Sequence, residues 1–99
     1  MRIVELYPKE ECSVVSLDSD LQTYFHGEAK VLSLTVQEKK YSFICHQEGV
    51  QVKNNEVKAL YGPAIVCNES LQSLTEEEAS LVQRYMNEYQ FDLSNISLQ

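Results

Sequence analysis

Cys45 and His46 are neighbours in the chain, and they are the residue types of a thiol nucleophile and its general base. They sit in the run Tyr41 to Gln47, which reads as a strand, and adjacent strand residues point to opposite faces. Cys45 therefore sides with Tyr41 and Phe43, while His46 sides with Ser42 and Ile44, so the two cannot pair with each other. A packed thiol and an edge or surface histidine are the expectation. A dyad of Cys12 or Cys67 with His26 or His46 is geometrically open but carries no local signature. All three cysteines lie in apolar or β-branched stretches, as in Phe43-Ile44-Cys45 and Ile65-Val66-Cys67. Reduced, buried thiols of a cytosolic protein are expected, with a disulfide between two of them left open.

Other chemistries find less material. No C-x-x-C or H-x-x-x-H spacing is present, so no metal centre and no cofactor are expected. Glu76-Glu77-Glu78 is a carboxylate cluster, but successive helical residues diverge by about 100° and do not chelate. The glycines, Gly27, Gly49 and Gly62, form no phosphate-cradling loop. Lys39, Lys40 and Tyr41 give only a short basic and aromatic stretch, which reads as a solvated turn.

The elements that position these residues follow from periodicity and punctuation. Arg2 to Tyr7 alternates and stops at Pro8, which marks a first strand. Cys12 to Leu17 is a second. Asp18 or Ser19 can cap a short helix carrying Leu21, Tyr24 and Phe25, with Gly27 as its C′ residue. Ala29 to Gln37 alternates strictly and returns through a Glu38-Lys39-Lys40 loop into Tyr41 to Gln47. Val50 and Val52 suggest a further short strand before the Asn54-Asn55 turn. Gly62-Pro63 precedes the apolar strand Ala64 to Cys67. Thr75 and Glu78 form a capping box, with Leu74 stapled onto Ala79. Ala79, Val82, Met86 and Tyr89 then recur at helical spacing with Tyr85 alongside, opposite Glu76, Ser80, Gln83, Arg84 and Asn87. Strands and helices do not alternate, so the expected fold is α+β. It is a single small domain, a mostly antiparallel sheet of about four or five strands with two helices packed on one face. The domain is expected over 1–90. Residues 91–99 form an apolar tail, through Phe91, Leu93, Ile96 and Leu98, that packs on the domain or adds to a partner or a second copy.

Length and composition agree with one core: 99 residues, 43% of them apolar, with no secretory or membrane-spanning stretch. The net charge of −7 is uneven. Residues 1–28 set six acids against Arg2 and Lys9, and residues 69–99 set six acids against Arg84 alone. Residues 29–68 set Glu38, Glu48 and Glu56 against five lysines, so a mildly basic middle lies between acidic ends. This balance opposes general nucleic-acid binding, whose affinity comes from neutralising phosphates, and suits a basic protein partner. Imitation of a phosphate backbone by spaced carboxylates is a further reading, with an ordinary solubilising surface beside it.

The stretch Asp18 to Gly27, the strand Tyr41 to His46 leading into Glu48-Gly49, and Asn55 followed by Ala59-Leu60-Tyr61-Gly62 resemble a small family of phages, plasmids and other mobile elements. That family is catalogued as domain of unknown function three-eight-four-six. The likeness runs from the first strand to about Cys67, and the chain departs from the pattern at Lys53-Asn54 and near Asn68. The resemblance brings no functional residues; it implies a setting among accessory proteins in the cytoplasm of a bacterial host. The leading expectation is a non-enzymatic interaction protein that inhibits a host defence or regulatory protein. Its partner-binding residues would be Glu76, Glu77, Ser80, Arg84, Asp92, Ile96 and Leu98. The alternative is a small-ligand binder, such as an oligomeric sponge for a nucleotide signal, with Lys39, Lys40, Lys53 and Lys58 on the phosphates. A cysteine-dependent enzyme is the third reading and requires a thiol of depressed pKa.

Overall fold

A computed structural model describes residues 1–8, 10–18, 20–88 and 96–98, with nothing described of the Leu98 side chain. Its eight strands are β1 (Arg2–Leu6), β2 (Ser13–Ser16), β3 (Ala29–Val36), β4 (Lys39–His46), β5 (Val50–Lys53), β6 (Glu56–Leu60), β7 (Ala64–Asn68) and β8 (Ile96–Leu98). Helix α1 (Leu21–Phe25) follows β2, and helix α2 (Glu76–Glu88) follows β7. All eight strands join one sheet in the order β2-β1-β7-β4-β3-β8-β6-β5, and every neighbouring pair is antiparallel.

The antiparallel α+β expectation is met, but four or five strands were too few. β6 hides from alternation because its register with β5 shifts between Gln51 and Val52. The pairs Gln51↔Ala59 and Val52↔Val57 leave Lys58 as the extra, bulged residue. The bulge lets Val57 and Leu60 both pack against the main core, a spacing that strict period-2 reading rejects. β8 lies in the C-terminal segment, between β3 and β6, with Ser97 paired to Ser33 on one side and to Glu56 on the other.

The two helices cover opposite faces of the sheet, which corrects the expectation of one. In β1, Val4 and Leu6 belong to the larger core with Leu74, Ala79, Val82 and Met86 of the α2 region, whereas Ile3 packs with Phe25 of α1. The same split runs through β4, where Phe43 and Cys45 face α2 and Ile44 faces α1. In β7 it separates Ala64 and Val66 from Ile65 and Cys67. The inner strands are apolar at both parities, so each face needs its own cover.

Local signals place the helix ends. At α2, Glu78 N donates to Thr75 Oγ1 (3.1 Å) and Thr75 N donates to Glu78 Oε1 (2.9 Å), the reciprocal bonds of a capping box. The buried stripe is Ala79, Val82 and Met86, while Tyr89 lies outside the described residues. At α1 the cap is Asp20 and not Asp18, its carboxylate accepting from Thr23 N (2.7 Å), while Ser19 lies outside the described residues. These backbone bonds also hold the Asp20 carboxyl below the usual carboxylate range. The left-handed residue that ends α1 is His26 (φ 55°), not Gly27. Gly27 instead lies beside the His46 ring, where a Cβ would stand 2.9 Å from Nε2 and the imidazole would have to shift.

Both long hairpins close through two residues at positive φ, Gln37-Glu38 and Asn54-Asn55, as type I′ turns do. The first turn is one residue earlier than the charged loop expected, because Val36 pairs with Lys39 and the two lysines already belong to β4. Lys39 lies against Tyr41, with Nζ 5.6 Å from the ring centroid, and pairs with Glu78.

Ile96 is 3% exposed and packs in the larger core. Ile96→Ala is expected to cost about 2–5 kcal/mol in urea unfolding; a change near zero would show that β8 does not complete the sheet.

Candidate functional site

Cys12, Cys45 and Cys67 are unpaired and buried. Burial pushes each of them from the ordinary 9.0 up to about 11; the nearby charge of Glu11 adds to the effect at Cys12, and Lys30 partly offsets it at Cys45. A nucleophilic cysteine needs the opposite shift. Cys45 and His46 point to opposite faces, and the imidazole is engaged elsewhere, since His46 Nδ1 accepts the Glu48 N–H (3.0 Å). Among the described residues no three of His, Cys, Asp and Glu gather as metal ligands. None of the described helices is long and apolar enough to cross a membrane.

The charged surface of α2 is built by the helix's own stripe. With Ala79, Val82 and Met86 turned inward, Glu76, Glu77, Ser80, Arg84 and Glu88 stand in solvent. The three glutamates at its start do different jobs. Glu78 belongs to the cap and to Lys39, whose bond holds its carboxyl below the usual range, with help from the Thr75 N–H. Glu76 lies 3.7 Å from Arg2. Glu77 has no ion-pair partner among the described residues. Gln83 was expected on the solvent face. It instead donates from Nε2 to the Cys12 carbonyl (3.1 Å), and Cys12 N donates to Asn87 Oδ1 (2.6 Å).

Those two hydrogen bonds clamp the segment before β2 against the second half of α2. They carry Glu10 and Glu11, both exposed, to the end of the helix that bears Glu88. Glu10 and Glu11 are thereby held near the second half of α2, some seventy residues away in sequence. Arg84 lies beside a groove of ≈350 Å³ that Gln37, Leu81, Tyr85 and Glu88 also line. Of the remaining partner residues expected, Asp92 lies outside the described residues. Ile96 is buried and unavailable to a partner, and Leu98 pairs through its backbone with Leu32.

The four lysines do not form one site. Lys39 faces α2 and is held by Glu78, and Lys58 is bonded to Glu56 (2.7 Å). By alternation Lys40 and Lys53 lie on the other face, where the outer strands are polar.

A second concavity, of ≈440 Å³, was not visible in the sequence. Tyr24, Phe25 and His26 at the end of α1 form one wall. His46, Glu48 and Gly49 form another, and Tyr61, Gly62 and Pro63 close it. Tyr24 donates its hydroxyl to Glu5 Oε2 (2.6 Å); burial first, and this bond next, push the phenol well above its ordinary value. The only prior signal was punctuation: Gly27, Gly49 and Gly62 each precede or follow a strand, with nothing to say that they converge.

Comparison of the chain with protein-family models, with curated proteins and with solved structures finds no match in any of the three.

Two outcomes follow for the thiols. Iodoacetamide should label all three slowly in the folded protein at neutral pH and rapidly in urea; one fast thiol in the folded state would restore a catalytic cysteine. Because their folded pKa values are raised, the neutral thiol is the form that folding favours. Stability should therefore be at its full value below about pH 9 and fall as pH rises from 9 towards 11. Cys67→Ala should flatten part of that fall in denaturant titrations.

Proposed function

We propose that this chain is a non-enzymatic binding protein that engages a basic surface of a bacterial host protein, of defence or regulation, and blocks it. The observation that supports this reading is the exposed face of α2 bearing Glu77 and Glu88, with the segment of Glu10 and Glu11 tied to the helix's second half through Cys12. Glu10, Glu11, Glu77 and Glu88 present carboxylates without ion-pair partners among the described residues, on a scaffold of helix and capped loop. Such a surface steers a basic partner in and rejects acidic ones by like-charge repulsion. The high pKa of the thiols supports a role without covalent chemistry. The setting among phage and mobile-element accessory proteins in the host cytoplasm rests on the short motifs from Asp18 to Gly62. The nucleotide-binding alternative is less well served, since Lys39 and Lys58 are already held by Glu78 and Glu56.

The test is affinity capture from a bacterial lysate at low salt, followed by titration of the purified pair. One basic protein should be recovered, with affinity falling steeply as ionic strength rises. Glu77→Lys combined with Glu88→Lys should weaken the complex at least about tenfold at low salt, because rim charges act mainly on encounter. The variant's melting temperature should stay close to that of the parent. Recovery of chaperones alone, or a complex indifferent to salt, would refute the reading.

A further inference from the structure

We infer that the cleft between the end of α1, the end of β4 and residues 61–63 receives an arginine side chain of the basic partner. This rests on the reading above and names the chemistry of its second contact. The cleft is lined by Tyr24, Tyr61 and Glu48 together with His26 and His46, and no lysine or arginine lines it. Tyr61 is 66% exposed yet fixed at both ends: its N–H donates to the Gly49 carbonyl (2.7 Å) and its hydroxyl to Gln51 Oε1 (3.1 Å). An exposed ring held still offers a contact face at little cost in side-chain entropy. The Tyr24 hydroxyl is bonded to the carboxylate of Glu5, which adds negative charge behind that wall.

Gly62 stands open, since a Cβ there would meet nothing within 4 Å. His46 does not compete for a ligand proton, because its Nδ1 accepts the Glu48 N–H and its Nε2 lies against Gly27. An anion would meet Glu48 and find no lysine or arginine. Chelation of a metal is unsupported, since among the described residues no three ligands converge. A guanidinium fits both features: its plane stacks on an aromatic face, and its fork donates to a carboxylate.

The experiment titrates the ¹⁵N-labelled protein with acetyl-Gly-Arg-Gly-amide and with its neutral citrulline counterpart, followed by amide chemical shifts. The arginine peptide should give saturable shifts centred on Gly49, Tyr61 and Gly62, and the citrulline peptide should bind at least about fivefold more weakly. Glu48→Gln and Tyr61→Ala should each cost a similar factor with the rest of the spectrum unchanged, and Tyr61→Phe should retain binding. Equal binding of the citrulline peptide, or no saturable shift at the cleft, would overturn the inference. If a salt-sensitive host complex forms and ignores Glu48→Gln and Tyr61→Ala, the cleft is excluded while the acidic face of α2 stands. If the arginine peptide binds at the cleft and no basic host protein is recovered, the cleft stands and the host reading falls.

Discussion

The strands at the middle of the sheet have to be dry on both sides. Every residue from Tyr41 to Cys45 is buried, and so is every residue from Ala64 to Cys67. Burial of apolar area at about 25 cal/mol per Å² makes this the largest favourable contribution in the fold, and no helix can cover two faces at once. The architecture follows from that constraint. α2 and its cap seal one face, and the short α1 with Met1, Val15 and Leu17 seals the other. Ser42 shows the tolerance of the arrangement: its hydroxyl is fully buried and is satisfied by the Glu69 carbonyl (3.3 Å), as a buried polar group must be.

The two surfaces of interest are by-products of this sealing. Once Ala79, Val82 and Met86 point inward, helical geometry leaves Glu77, Ser80, Arg84 and Glu88 outward, and the clamp on Cys12 holds Glu10 and Glu11 near the helix's second half. On the other face α1 is only five residues long, too short to roof the whole sheet. Its end leaves an opening against the β4 terminus, which Tyr61 and Gly62 border. The acidic face thus comes from a complete cover and the cleft from an incomplete one.

Legibility tracked the range of the interactions. The α2 capping box, the face assignment of Cys45 and His46, and the Asn54-Asn55 turn depend on residues within a few positions, and they were readable. The strand β6 was not, because the bulge at Lys58 breaks the alternation that identifies strands. The placement of the helices on opposite faces is written only in the apolar character of both parities of β4 and β7, which a one-sided cover does not satisfy. His26 takes the left-handed conformation expected of Gly27, and the glycine lies beside the His46 ring, nineteen positions away. The join of Glu10 and Glu11 to α2, and the cleft, depend on contacts that no local pattern encodes.

The position of β8 bears on how the chain is made. The hairpin of β5 and β6 reaches the rest of the sheet through β8, by way of Glu56 and Ser97, and β8 is translated almost forty residues after that hairpin. Until Ile96 to Leu98 are made, β6 has no strand on its β8 side. Such late, sequence-distant pairing slows folding and exposes an edge to aggregation meanwhile. The vulnerable state of this protein is therefore the nascent one, and a chain stalled or cut short before Ile96 would carry an unanchored hairpin.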